Sequence, residues 1–252
     1  MGKQFWKPGN MLYPLPAVMV SCQREGEKPN IITAAWVGTV CSDPVMVSVS
    51  VRPQRYSYDI IRETGEFVIN LTTEALAKAA DYCGVRSGRD VDKFKEMHLT
   101  PCASGKISAP GIMESPVNIE CRVKEIIKLG SHDMFLAEVV GVDVDEEYLD
   151  ENGKFHLNET GLIAYSHGEY FTLGNCVGTF GYSVRKKSKG RKETRKETAG
   201  RKRQRASGKK RKSGKRRNVR TAGGAGEKCL NEGNTGQKMQ LYAENPCKIV
   251  KK

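Results

Sequence analysis

Arg52, Arg55 and Ser57 stand within one short stretch, just ahead of residues able to form a helix. Two guanidinium groups and a hydroxyl at a helix start are phosphate-binding chemistry, because the first-turn N–H groups and the helix dipole both favour an anion there. Ser57 reads as the N-cap of a helix over Tyr58–Thr64 that Gly65 would stop. Tyr56 and Ile61 are spaced as a hydrophobic staple across that start. The strand leading in, Val45 to Arg52, carries two faces. Val45, Val47, Val49 and Val51 fall on one side, suited to a core, and Met46, Ser48, Ser50 and Arg52 on the other. At roughly 3.3 Å per residue the polar row spans about 20 Å, long enough to lie along a cofactor of nucleotide size. The alternative is an edge strand with a solvated face, followed by an ordinary helix start.

These groups need a scaffold, and the pattern of the chain is that of strands. Ala17–Cys22 predicts a first strand and Ile31–Val40 a second, with a polar hairpin loop between them. Cys41-Ser42-Asp43-Pro44 then turns the chain into the two-faced strand. Glu66–Leu71 predicts a fourth strand. Glu74–Cys83 predicts a helix with Leu76, Ala79, Ala80 and Cys83 as its core stripe, stopped by Gly84. A loop rich in glycine and basic residues follows, Gly84 to Phe94. Val117, Ile119, Cys121 and Val123 alternate in a long strand, partnered by Met134–Val144 across a Gly130–Asp133 turn. Short strands are expected at Phe155–Leu157 and Tyr170–Leu173. Strands dominate and no βαβ alternation appears, which favours an antiparallel β-barrel with helical excursions over a doubly wound fold.

Charge divides the chain. Residues 1–184 hold 17 lysines and arginines against 24 acids, whereas residues 185–252 hold 25 against 5. The overall net charge of +13 therefore describes the C-terminal segment and misdescribes a mildly acidic domain before it. The cysteines show no C-x-x-C, and Cys22 and Cys121 sit in apolar strand patterns as small hydrophobes, which points to a reducing cytoplasm. The N-terminus lacks the apolar run of a signal peptide, and no stretch approaches a membrane span, so a soluble protein is expected. No G-x-G-x-x-G, Walker loop, G-x-S-x-G or H-E-x-x-H occurs. His98, His132, His156 and His167 lie far apart, each without a neighbour at metal spacing, and read as surface or satisfied core residues. Redox chemistry in this chain would have to belong to a bound cofactor.

The run Asn30-Ile31-Ile32-Thr33-Ala34-Ala35-Trp36, then Pro44 and Val47 through Pro53, resembles the flavin reductase-like, FMN-binding split-barrel family, and within it the flavoredoxin branch. Ser57-Tyr58-Asp59-Ile60-Ile61, Gly65 through Asn70, Cys83-Gly84 and Ser87 through Phe94 fit the same pattern. So do Tyr170 through Gly174 with Gly178, Phe180 and Gly181. The resemblance covers about residues 8–187. It implies a Greek-key split barrel that forms a homodimer and binds FMN noncovalently near the subunit interface. Carried over by position, Thr33, Ala34, Ala35 and Trp36 would line the ribityl and isoalloxazine side, and Ser48, Val49 and Ser50 would reach the ring largely through backbone groups. Arg52, Ser57 and Lys93 would hold the phosphate. The plain alternatives are core packing for Trp36 and a solvated loop charge for Lys93. The activity implied is hydride transfer from NAD(P)H to flavin N5, with electrons passed on to free flavin or a protein acceptor. A carrier that takes its electrons from a protein donor fits the same residues.

The segment after residue 187 has no counterpart in that family. Arg185–Arg220 holds 20 lysines and arginines, 2 glutamates and almost no apolar residue. Such a composition cannot support a core, so residues 188–252 read as a disordered basic tail. Salt-sensitive, sequence-indifferent binding to nucleic acid is one function open to it. An unstructured appendage, or an extended reading frame, is the other reading.

Overall fold

The two-residue corner Ala35-Trp36 decides the architecture seen in a computed structural model, which describes residues 1–185. The chain begins with β1 (Leu15–Pro16), β2 (Val18–Cys22) and β3 (Asn30–Ala34), turns the corner, and continues as β4 (Val37–Ser42) and β5 (Val45–Val51). Helix α1 (Tyr56–Thr64), β6 (Glu66–Leu71), α2 (Ala77–Val85) and α3 (Lys93–Glu96) follow. Two short strands, β7 (Pro101–Cys102) and β8 (Gly111–Ile112), precede the long hairpin β9 (Val117–Lys128) and β10 (Asp133–Val144). The last pair is β11 (Ile163–Ser166) and β12 (Glu169–Thr172).

Seven strands form one sheet in the order β3-β2-β6-β9-β10-β5-β4, every pairing antiparallel. β3 and β4 are therefore its opposite edges, yet two residues join them. A sheet whose two edges are tied that closely must curl on itself, which gives a Greek-key split β-barrel. The Ser50 N–H donates to the Trp36 carbonyl at 2.9 Å across the closing corner. The single strand expected over Ile31–Val40 is thus broken, because its two halves pair at opposite edges.

The valines of β5 behave as the alternation requires: Val47, Val49 and Val51 are buried, while Ser48 and Ser50 are half-buried. Val45, at the strand's start, is exposed. The barrel interior is filled by these valines with Val18, Val20, Phe67, Ile69 and Phe135. A second cluster lies outside the barrel, where Met19 and Ile31 meet Leu76, Ala79, Ala80 and Cys83 of the predicted helix stripe, with Phe94 and Ile112. β2 is consequently buried on both faces.

Several boundaries differ from the sequence expectation. Helix α1 starts at Tyr56 with Arg55 as its N-cap, so Ser57 is a buried residue of the first turn and not the cap. Ser57 Oγ instead accepts a hydrogen bond from Asn30 Nδ2 at 2.7 Å. Gly65 does end the helix, at φ 68°, where its N–H donates to the Ile61 carbonyl. Glu74–Leu76 is a 3₁₀ turn and α2 runs through Gly84 to Val85. Leu149–Phe155 makes only an isolated bridge where a short strand was expected at Phe155–Leu157. Tyr170–Leu173 is realised as β12, which pairs with the unforeseen β11, and β11 with β1. The basic tail lies outside the described residues.

Candidate functional site

Two contiguous hollows lie where α1 begins. The smaller, of about 180 Å³, is lined by Asn30, Ile32, Gln54–Ser57, Arg86–Arg89 and Lys93. Four of its lining residues are cationic, Arg55, Arg86, Arg89 and Lys93, and none is acidic. The larger cleft, of about 590 Å³, shares Ile32 and Arg55 with it and extends along Thr33, Ala34, Ala35 and Trp36 to Ser50, Arg52 and His132.

The small pocket is built from three elements. α1 offers its first turn there, and no side chain caps it. The loop after α2 supplies Arg86 and Arg89; Arg89 Nη1 donates to the Gln54 carbonyl at 3.3 Å and its guanidinium lies 5.3 Å from the Tyr56 ring centroid. Gly88 is needed between them, since any Cβ there would collide with the Asn30 side chain and the Tyr56 ring. α3 begins with Lys93, held by the Asp92 N-cap, whose carboxylate accepts from the Lys95 N–H.

Lys93 is the unusual member. It is only 3 % exposed, and its Nζ donates to the carbonyls of Ile31 at 2.6 Å and Cys83 at 2.7 Å. A solvated loop charge is excluded. Burial disfavours the ammonium and brings its pKa down to about 8. A buried cation held only by carbonyls, in a pocket with no carboxylate, leaves a positive charge that an anion would neutralise.

The larger cleft has a different chemistry. Trp36 is 41 % exposed, which rules out simple core packing. Its ring lies parallel to that of His132, with 6.0 Å between centroids and 8° between planes. Arg52 Nε donates to His132 Nε2 at 3.4 Å, leaving the ring proton on Nδ1, 2.9 Å from Ser131 Oγ. Burial and the neighbouring Arg52 charge both lower the His132 pKa, so the imidazole is neutral at physiological pH. Behind this group the Tyr58 hydroxyl donates to the buried Asp133 carboxylate at 2.6 Å, tying α1 to the start of β10. Thr33 Oγ1 donates to the Ala80 carbonyl, so what it can offer a ligand is lone pairs.

The structure therefore divides the residues singled out from sequence. Thr33, Ala34, Ala35, Trp36 and Ser50 line one cleft together. Ser57 and Lys93 line the small pocket. Arg52 lines the larger cleft beside His132 and not the small pocket, while Ser48 and Val49 line neither. Arg86 and Arg89 were missed as site residues, although basic residues flanking a glycine in a loop were visible. His132 carried no such signal, because only the β9–β10 hairpin brings it to Trp36. Among the described residues no group of histidine, cysteine and acidic side chains could hold a metal ion.

Comparisons with known proteins agree with the fold. Residues 11–174 match the family model described as the flavin reductase like domain. An uncharacterized protein of Archaeoglobus fulgidus is 34 % identical over 164 residues, 65 % of this chain and 90 % of that one. The flavoredoxin of Desulfovibrio vulgaris (Miyazaki F) superposes with a TM-score of 0.68 at 31 % identity, covering 73 % of this chain and all of that one. The FMN-binding protein of Thermus thermophilus, solved with bound 1-cyclohex-2-enone, gives a TM-score of 0.57 at 26 % identity over 68 % of this chain and 94 % of its own.

Proposed function

From the premise that this chain belongs to the flavin reductase-like family, we propose that it binds FMN and passes electrons through it, from NAD(P)H or a protein donor to free flavin or a protein acceptor. The observation that carries this reading is the small pocket with four cations and no acid, opening at Arg55 onto a cleft lined by the β3–β4 corner. Ser57, Lys93, Arg55, Arg86 and Arg89 would hold the phosphate, and Thr33–Trp36 with Ser50 would border the ring. When bound, FMN supplies the hydride-accepting and electron-releasing chemistry.

The protein's own residues position and exclude. Lys93 and the guanidinium groups neutralise the phosphate, the uncapped first turn of α1 adds N–H donors, and the corner at Ala35-Trp36 closes one side of the cleft. His132 is neutral and has its Nε2 engaged by Arg52, so no proton transfer is asked of it. A homodimer accords with the exposed apolar side chains of the terminal segments, among them Met11, Leu12, Leu173, Val177 and Phe180. A cytoplasmic setting accords with the buried thiols of Cys22, Cys83 and Cys121, and no helix among the described residues is long and apolar enough to cross a membrane. The charge of the segment Arg185–Arg220 leaves salt-sensitive affinity for nucleic acid as a secondary reading, behind that of an appendage with no binding role.

The test is an absorption spectrum of the purified protein with FMN, before and after anaerobic addition of NADH or NADPH. Bound flavin that bleaches supports the reductase. Bound flavin that bleaches only with a chemical reductant leaves an electron carrier fed by a protein. Failure to bind FMN at micromolar concentration overturns the proposal.

A further inference from the structure

The β11–β12 hairpin gives the larger cleft an aromatic wall. Tyr165 and Tyr170 are directly opposed in its register, with ring centroids 5.7 Å apart and planes inclined at 59°. Tyr13, from the segment before β1, backs Tyr165 at 6.2 Å. The Tyr170 hydroxyl donates to Asp81 Oδ1 of α2 at 3.4 Å, and burial together with the Asp81 charge holds the phenol in its protonated, donating form. Both rings are half-buried: anchored on one side, they still border the cleft that Trp36 and His132 also line.

The hairpin contributes nothing to the cationic pocket. A ligand anchored there by its phosphate would enter the cleft at Ile32 and Arg55, the residues both hollows share, whereas the tyrosines line the cleft alone. Tyrosine rings offer flat, rigid contact area at small entropic cost, and they suit another flat ring. We infer that Tyr165 and Tyr170 are specificity-determining residues that seat a planar aromatic electron acceptor of the quinone class. This rests on the reading of the neighbouring site as an FMN site. The acceptor takes two electrons and two protons from reduced FMN and leaves as its dihydro form, the FMN returning to its oxidised state.

The experiment uses full-length protein loaded with FMN, reduced with dithionite without excess, and mixed anaerobically with one of two oxidants. Menadione is a planar quinone. Ferricyanide is a compact complex anion that takes electrons singly and needs no ring to rest on. Stacking on an aromatic side chain is worth about 1–3 kcal/mol, so Tyr170→Leu and Tyr165→Leu should each raise the half-saturating menadione concentration about tenfold. Their ferricyanide rates and FMN affinities should equal those of the parent. Tyr170→Phe, which keeps the ring and loses only the Asp81 bond, should stay within about threefold for menadione. Equal loss with both oxidants, or no loss with either, overturns the inference. Leucine variants that bind FMN more weakly would assign the wall to the resident flavin, which also overturns it. Flavin that never binds the parent defeats the FMN reading itself, and this inference falls with it; that result is seen in the spectrum before any oxidant is added.

Discussion

Replacing Lys93 by methionine tests the electrostatic core of the site. The ammonium has three donors, and two are committed to the carbonyls of Ile31 and Cys83. One donor and the whole charge remain for the pocket. A hydrogen bond to a charged group is worth about 1.5–3 kcal/mol, so Lys93→Met should weaken FMN binding roughly 10- to 150-fold. Riboflavin, with no phosphate, should lose little. The pH dependence gives a second handle. The Lys93 pKa in the free protein is lowered to about 8 by burial, and a bound phosphate would raise it. Binding therefore takes up a proton above pH 8, and FMN affinity should fall as pH rises, by up to about tenfold per unit. Below pH 8 the lysine is charged in both states and the profile should be flat down to about pH 7, where the phosphate is still dianionic. Quenching of flavin fluorescence on titration, from pH 7 to 9.5, reads all of this. The methionine variant should lose the inflection, with circular dichroism checking that it is folded. Equal weakening of FMN and riboflavin, or a parent profile flat through pH 9.5, would refute the assignment.

Three further outcomes follow from particular contacts. Arg52→Ala removes a cation that depresses the His132 pKa, so that pKa should rise, as read from the imidazole proton shifts by NMR; an unchanged or lower value contradicts the geometry. Tyr58→Phe strands the buried Asp133 carboxylate, at a cost of about 1–3 kcal/mol, and should lower the melting temperature by several degrees without altering the ratio of FMN to riboflavin affinity. Cutting the chain after Lys187 should leave FMN affinity intact, since every lining residue precedes that point, and should abolish any duplex-DNA binding, whose log–log salt slope in the full chain should be about −0.9 per phosphate contacted. Loss of flavin from the shortened protein would move the domain boundary.

Local pattern was enough for the parts of this protein that depend on nearest neighbours. The valines of β5 alternate because a strand alternates, Leu76, Ala79, Ala80 and Cys83 share a face because a helix has 3.6 residues per turn, and Gly65 ends α1 because it can adopt a positive φ. The cationic character of the α1 start was legible for the same reason, being a matter of residue types in one short run. What lay beyond reach was every relation between distant segments. The period of a strand says nothing of which edge it joins, so the break at Ala35-Trp36 could be decided only by β3 and β4 pairing at opposite ends of one sheet. Lys93 reads as a loop charge until α2 and β3 present it with two carbonyls and remove it from water. Arg52 and Ser57 are close in sequence and yet line different hollows, because the chain turns between the end of β5 and the first turn of α1. His132 and Tyr165 have no local signature, and Tyr170 is legible only as part of a short strand; tertiary structure makes them neighbours of the cleft, since a hairpin tip or a late strand acquires its surroundings only when the sheet closes.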